Sequence, residues 1–443
     1  MRRAIALGGG GSRGSYELGV WTALRELGIE YHIVTGTSIG ALNGALMVQQ
    51  DYELTYKIWD TITVDDVMKD GINFDFSLDS LFSHKDKIKT FLKKYLHSQG
   101  ADITPLIQLI DRVIDEQRIR ESAIDYGVVT VEHPSLKPLE ITKQEMEPEL
   151  LKQYLIASAS CYPAFPVCKI GKQGYIDGGY FDNLPINLAL KMNADEVIAV
   201  DLSYEFETKY RNKPFVTYIS PSWPLGSILS FNKPILDRNR QLGYNDAMKV
   251  LGRYTGFRYT FTTQNGEALY DAISRSYVAL IARFEAQIPL AVNERVYHNQ
   301  VDANIVTSCI MQHTGSRQLS YLDYLIRGSE VCAEILQIDP IEVYDFTAFN
   351  EMLFNHFSDR EKFKHEQMLA RFSQIQNLPI LKKVISEMDK QYLIGCLFTR
   401  LLDNPDLQDC LKWLVPLIPD ELTAALYLVA IERNQMNESN LHE

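Results

Sequence analysis

Four consecutive glycines, at residues 8–11, follow a short apolar stretch and precede Arg13 and Gly14. Such a turn between a strand and a helix leaves backbone N–H groups free to face an anion. Further along, Gly36-Thr37-Ser38-Ile39-Gly40 has the spacing of a nucleophile elbow, in which a serine stands on a strained turn between small residues. The two motifs predict an oxyanion site beside a nucleophile, at the ends of two strands of an α/β sheet.

The glycine run has a competing interpretation. Gly9, Gly11 and Gly14 fit G-x-G-x-x-G, the dinucleotide-binding fingerprint. A dinucleotide site needs an acidic residue at the tip of the next strand to hold a ribose, whereas the corresponding segment here is Gly36-Thr37-Ser38. No Gly-Lys-Ser/Thr follows the glycines, which also disfavours a nucleotide-hydrolysing P-loop. A nicotinamide or flavin enzyme therefore stays open only as an alternative, and no cofactor is predicted.

The hydrophobic pattern predicts two domains. Short β-branched runs alternate with amphipathic stretches over the first two hundred residues, which is typical of a parallel sheet with crossover helices. Beyond that, helical spacing continues to the end of the sequence. We expect a three-layer α/β/α domain with a mainly parallel sheet over residues 1–250, and an all-helical domain over residues 251–443. Strands are predicted at 4–7, 32–36, 126–131, 139–142, 197–201 and 215–220, a helical insertion or lid at about 61–122, and helices at 16–27, 41–50 and 149–157.

Composition excludes several functions. A formal net charge of −13 disfavours nucleic-acid binding, because phosphate recognition needs a basic surface. The six cysteines form no C-x-x-C pair and no zinc-ligand spacing with histidine, so no metal site is predicted. No apolar stretch is long enough to span a bilayer, and the apolar N-terminal segment is too short for a signal peptide. We expect a cytoplasmic protein without a transmembrane segment; peripheral association with a membrane surface stays open.

A serine nucleophile needs a base, and two kinds of candidate are present. Asp177-Gly178-Gly179 allows a tight turn that could present the carboxylate to a neighbour, although this tripeptide is also common in ordinary turns. The alternative is a Ser-His-Asp triad, in which His133 is the first candidate, with His84 or His97 behind it. The residues alone leave both arrangements open.

In this order the motifs resemble the patatin-like phospholipase family. The family pattern is G-G-G-x-R-G, then G-x-S-x-G, then an alanine/serine-rich segment with spaced prolines, then D-G-G or D-G-A. The sequence matches it at residues 9–14, 36–40, 157–166 and 177–179, within the first 200 to 250 residues. The resemblance implies Ser38 as the nucleophile, Asp177 as its base, and the backbone of Gly9, Gly10 and Gly11 as the oxyanion hole. It assigns supporting roles to Arg13, Gly14, Gly36, Gly40, Gly178 and Gly179.

The resemblance also implies an activity. It predicts a serine esterase, a phospholipase A or lysophospholipase, that cleaves fatty acyl esters through an acyl-enzyme intermediate without histidine, metal or cofactor. Its substrate would be a phospholipid or lysophospholipid, with head group and acyl length open. A carboxylate is a weak base near neutral pH, so the scheme requires a partly desolvated pocket. The alternative is a catalytically gated binding or regulatory protein whose helical C-terminal domain recruits a partner; a homo-oligomer stays open.

Overall fold

An eight-stranded sheet organises the first of the two compact units into which the chain divides, Met1–Gly252 and Arg253–Glu443. The computed structural model describes residues 1–69, 100–204, 210, 213–262, 267–287, 304–314, 318–363, 372, 375, 378–403 and 414–441. The elements of the first unit are β1 (Arg3–Leu7), α1 (Ser15–Glu26), β2 (Ile33–Thr37), α2 (Ile39–Val48), α3 (Tyr52–Thr61), α4 (Thr104–Val113), α5 (Glu116–Glu121), β3 (Asp125–His133), β4 (Pro138–Thr142), α6 (Leu151–Ser158), β5 (Cys168–Ile170), β6 (Gln173–Asp177), α7 (Ile186–Lys191), β7 (Glu196–Val200), β8 (Val216–Ile219) and α8 (Lys233–Val250).

Helices cover both faces of this sheet. Alternate side chains of β1 point to opposite faces. Ala4 and Ala6 pack in one hydrophobic cluster with Ile186 and Ala189 of α7. On the other face, Gly44 of α2 lies close to side chains of β1, β2 and β3. The predicted three-layer α/β domain is therefore confirmed.

The strand order places the end of β2 next to the end of β6 along strand β3. It is β5-β6-β3-β2-β1-β7-β8, and β4 pairs with β3. The pairs β1–β2, β2–β3, β1–β7 and β7–β8 are parallel. Because β4 occupies one edge of β3, both β2 and β6 lie along its other edge. Thr37, the last residue of β2, pairs with Val129, and Asp177, the last residue of β6, pairs with the next residue, Thr130.

The helices between α3 and β3 belong to the predicted insertion. The chain breaks between α4 and α5, where Asp115 caps α5 by accepting the N–H of Arg118 at 3.1 Å. Gln49, just after α2, donates to the carbonyl of Val113 and accepts the N–H of Asp115. These bonds fasten the described part of the insertion to the helix that follows the predicted elbow. Residues 70–99 of the insertion lie outside the described residues.

The second unit is helical and has one feature that the sequence did not predict. Its elements are β9 (Tyr254–Thr255), β10 (Thr260–Thr262), α9 (Glu267–Glu285), α10 (Ile305–Met311), α11 (Tyr321–Ile335), β11 (Val343–Tyr344), α12 (Phe346–His356), α13 (Leu378–Ser386), α14 (Lys390–Asp403) and α15 (Pro419–Leu441). The three strands form a small sheet, so "all-helical" is too strong. The buried carboxylate of Glu330 fixes the turn between β9 and β10 by accepting three consecutive backbone N–H groups, those of residues 257–259. Among the helices that the structure describes, none has the length and apolar character needed to cross a bilayer.

Candidate active site

Ser38 stands on a sharp turn between β2 and α2. Its backbone has φ 54° and ψ −124°, a left-handed conformation that costs a non-glycine residue about 1–3 kcal/mol. The two flanking glycines are required by close backbone approach. A Cβ on Gly36 would lie 2.3 Å from the carbonyl oxygen of Gly40, and one on Gly40 would lie 2.5 Å from that of Leu7. The local sequence therefore folds as a nucleophile elbow.

Ser158, at the end of α6, holds this turn in place. Its hydroxyl accepts the backbone N–H of Ser38 at 2.9 Å and donates to the carbonyl of Val129 at 2.7 Å. The side chain is completely buried, so both bonds are shielded from water. Sequence reasoning placed this serine in the alanine/serine-rich segment but assigned it no role.

Asp177 ends β6 beside Ser38. Asp177 is 2% exposed. Its backbone N–H donates to the carbonyl of Ser160 at 2.9 Å, and its carboxyl Oδ1 accepts the N–H of Gly179 at 2.7 Å. Burial raises the pKa of the carboxyl from 3.8 to about 6, against the opposing effect of hydrogen bonds from Gly179 and the Ser38 side chain. A carboxylate with this pKa is mostly ionised at neutral pH and is a better proton acceptor than an exposed aspartate.

Among the described residues, no histidine lines the cavity around Ser38. His32 lies before β2 and accepts the N–H of Arg3 through Nδ1, and the ring of His133 contacts that of Tyr162 at a tilted angle. Neither lines the cavity around Ser38. His84 and His97 lie outside the described residues. Within the described part of the chain, Asp177 is thus the carboxyl whose pKa the Ser38 side chain lowers.

The glycine loop supplies two free backbone donors rather than three. The N–H of Gly9 donates to the carbonyl of Asn183 at 2.9 Å, and the Asn183 side chain donates back to the carbonyl of Gly9 at 3.0 Å. In the described structure the N–H groups of Gly10 and Gly11 have no hydrogen-bond partner, and both residues line the cavity with Ser38. This corrects the prediction for Gly9, whose N–H is already bonded.

Backbone carbonyls of residues 226 and 228 hold the glycine loop in place. Gly11 has φ +56°, and a Cβ there would lie 2.2 Å from the carbonyl oxygen of Ile228. Ser12 donates its N–H to that carbonyl at 2.8 Å, and Arg13 donates Nε–H to the carbonyl of Gly226 at 2.8 Å. Arg13 thus bonds to the same segment, residues 226–228, that holds Ser12. Gly14 precedes α1 against Ile39, and Gly178 passes close to Val129.

A cavity of about 930 Å³ opens beside the serine and the aspartate. This is within the range of about 300–1,000 Å³ typical of small-molecule sites. Most of its wall is apolar and includes residues of α2, α3 and α4, such as Leu42, Trp59, Leu106 and Ile110. Asp201 also borders it, but its carboxyl accepts the N–H of Ser203 and the hydroxyl of Tyr218. The cavity can hold an apolar chain whose polar end lies at Ser38.

The patatin-like phospholipase family model matches residues 5–190, which contain all four motif segments. This part of the chain is a patatin-like domain. Patatin-like phospholipase domain-containing protein 7 of Mus musculus is 30% identical over 218 residues, which are 47% of this chain and 14% of that protein. Patatin-like phospholipase domain-containing protein 6 of Homo sapiens is 29% identical and covers 46% of this chain and 14% of its own length.

Lysophospholipase NTE1 of Candida albicans is 28% identical over 201 residues, which are 45% of this chain and 13% of that protein. The chain therefore spans about one seventh of the length of these relatives. The crystal structure of VipD from Legionella pneumophila covers 97% of this chain and 91% of its own with 14% identity and a TM-score of 0.39, a likeness too low to bear on function.

Proposed function

We propose that the protein is a lipid acyl hydrolase that cleaves fatty acyl esters with Ser38 and Asp177. The observation that carries this proposal is that an elbow serine and a buried carboxyl with a raised pKa, Ser38 and Asp177, line the same apolar cavity. The patatin-like domain and the relatives named phospholipases and a lysophospholipase support a lipid ester as the substrate.

The first half of the reaction forms an acyl-enzyme. The Ser38 Oγ attacks the ester carbonyl carbon while Asp177 accepts the hydroxyl proton. The carbonyl oxygen becomes an oxyanion, which the N–H groups of Gly10 and Gly11 stabilise; each such preorganised donor contributes about 3–4 kcal/mol. When the tetrahedral intermediate collapses, the bond to the alcohol oxygen breaks and protonated Asp177 returns the proton to it.

The second half releases the fatty acid. Asp177, ionised again, takes a proton from a water molecule as the water attacks the acyl carbonyl. The second tetrahedral intermediate breaks the bond to Ser38 Oγ, which regains its proton from Asp177. Each cycle consumes one ester and one water and yields one alcohol and one fatty acid. Because one carboxyl serves both halves, no histidine is required.

The test is hydrolysis of a p-nitrophenyl ester and of a panel of phospholipids and lysophospholipids by the full chain. We expect Ser38→Ala and Asp177→Asn each to abolish turnover, and His133→Ala to retain it. Thermal unfolding of each variant checks that the fold is intact. Activity of Ser38→Ala equal to that of the unmodified protein would refute the proposal. A folded protein inactive on the whole panel would favour the alternative of a non-catalytic scaffold that recruits a partner.

A further inference from the structure

A second buried carboxyl lies behind the glycine loop, outside the proposed reaction. Glu17, in the first turn of α1, is 2% exposed. Its Oε2 accepts a hydrogen bond from the side-chain amide of Asn43 at 2.7 Å. In the described structure its Oε1 has no hydrogen-bond partner, and no cation forms an ion pair with it. A carboxyl in this setting is either a costly unpaired charge or a neutral acid.

The contacts of Glu17 connect the loop to the helix of the nucleophile. Asn43 lies on α2, one turn after Ser38, and its amide also donates to the carbonyl of Gly14 at 3.0 Å. The indole N–H of Trp59 donates to the Asn43 Oδ1 at 3.0 Å, which fixes the orientation of the amide. The Glu17–Asn43 pair therefore joins Gly14, at the end of the glycine loop, to the helix that follows Ser38.

In the part of the chain that the structure describes, no charged group balances an ionised Glu17. Burial raises the pKa of Glu17 well above its ordinary value, and only the Asn43 amide and the Gly8 backbone act in the opposite direction. The charged groups nearby on the packed helices have other partners. On α8, Asp246 bonds Lys249 and Arg240 bonds Asp237; on α3, Asp60 bonds Lys233.

We propose that Glu17 is a positioning residue, held as a neutral carboxylic acid, which with Asn43 fixes the Gly14 end of the glycine loop relative to Ser38. The inference rests on the proposed function for its kinetic consequence. A negative charge beneath the loop would oppose the oxyanion that the N–H groups of Gly10 and Gly11 stabilise, and a missing side chain would let the loop shift. The reaction therefore needs Asp177 ionised and Glu17 protonated.

The kinetic test compares Glu17→Ala and Glu17→Gln over a range of pH on the full chain. We expect Glu17→Ala to lower kcat about tenfold or more with little change in KM, because the loop loses its support. Glu17→Gln, which keeps the shape and the carbonyl acceptor, should restore most of that loss at neutral pH. It should also remove the fall in kcat that ionisation of Glu17 causes at alkaline pH. Glu53→Gln is the matched control, since its side chain is 86% exposed.

A stability measurement tests the neutral acid without reference to activity. The folded pKa of Glu17 is raised, so the folded chain holds a proton that the unfolded chain loses, and this contribution to stability declines as pH rises above the unfolded pKa. Glutamine does not titrate. The Tm of Glu17→Gln relative to the unmodified protein should therefore increase between pH 5 and pH 8, whereas that of Glu53→Gln should not.

Two results would overturn the inference. One is a Tm difference for Glu17→Gln that is constant with pH, and the other is a Glu17→Gln variant as slow at neutral pH as Glu17→Ala, since an ionised carboxylate would then be required. A full chain that hydrolyses no ester refutes the proposed function instead, and the Tm comparison still decides whether Glu17 is neutral.

Discussion

Asp177→Asn should abolish activity and at the same time stabilise the fold. The substitution removes a buried carboxyl whose pKa is about 6 in the folded chain and 3.8 in its ordinary state. Each unit of pKa difference corresponds to about 1.4 kcal/mol, so ionising Asp177 lowers the unfolding free energy by up to about 3 kcal/mol. Asparagine keeps the shape and an oxygen that can accept the Gly179 N–H, and it carries no charge.

The sign of the pH dependence follows from the raised pKa. Below about pH 4 the carboxyl is protonated in both states, and the folded protein loses no stability through it. Between the unfolded and folded pKa values the folded chain retains a proton that the unfolded chain has lost, so stability falls as pH rises. Above about pH 6 the loss is complete. Asp177→Asn should therefore gain up to about 3 kcal/mol over the unmodified protein at pH 8, and less at pH 5.

Denaturant unfolding of both proteins at pH 5, 6.5 and 8 measures this difference. Asp111→Asn is the control, because its side chain is 61% exposed and should show no comparable trend. The kcat/KM of the unmodified protein should fall on the acid side with an apparent pKa of about 6. If Asp177→Asn is less stable at pH 8 than the unmodified protein, or if the difference does not vary with pH, the buried-base reasoning is refuted.

Three further predictions concern the support of the site. Ser158→Ala should lower kcat about tenfold in steady-state kinetics, because the backbone N–H of Ser38 loses its acceptor. Ser160 is equally buried on the same segment and its hydroxyl bonds elsewhere, so the control variant Ser160→Ala should not lower kcat. Gly36→Ala should yield little folded protein by circular dichroism, since its Cβ would lie 2.3 Å from the Gly40 carbonyl oxygen. Lys143→Met should lower the unfolding free energy by about 2–3 kcal/mol in denaturant, because three backbone carbonyls lose the ammonium that they bind; a change under 0.5 kcal/mol would contradict this.

Much of the sheet could be predicted because its signals are local. The six predicted strands correspond to β1, β2, β3, β4, β7 and β8 within two residues at each end. The hairpin of β5 and β6 was missed, since its two short strands carry mixed polar and apolar residues and Asp177-Gly178-Gly179 indicated only a turn. That strand pairing sets where Asp177 lies. The glycine spacing and the serine elbow predicted an oxyanion site beside a nucleophile. The strand register that brings Ser38 and Asp177 together depends on pairing between distant segments, so no local pattern predicted it.

The contacts that refine the site span long stretches of sequence. Gly9 and Asn183 are 174 residues apart, and Ser38 and Ser158 are 120 apart. No local pattern indicates that the N–H of Gly9 is bonded to a carbonyl, so the three glycine donors that the family resemblance implied were treated as equivalent. Similarly, Glu17 occupies an ordinary position in the first turn of a helix, and its burial becomes visible only once α2 and α3 pack over it.

Two neighbouring residues of β3 explain how the fold sustains an unfavourable local structure. A strained serine destabilises the chain by about 1–3 kcal/mol and a buried carboxyl by up to about 3 kcal/mol, out of a typical domain stability of about 5–15 kcal/mol. Val129 pairs with the end of β2 and accepts the Ser158 hydroxyl that fixes the Ser38 N–H, while Thr130 pairs with Asp177. Because one rigid strand sets both positions, Ser38 and Asp177 cannot separate without unpairing the sheet. The cost of the site is therefore offset by ladder hydrogen bonds and core packing that take no part in the proposed reaction.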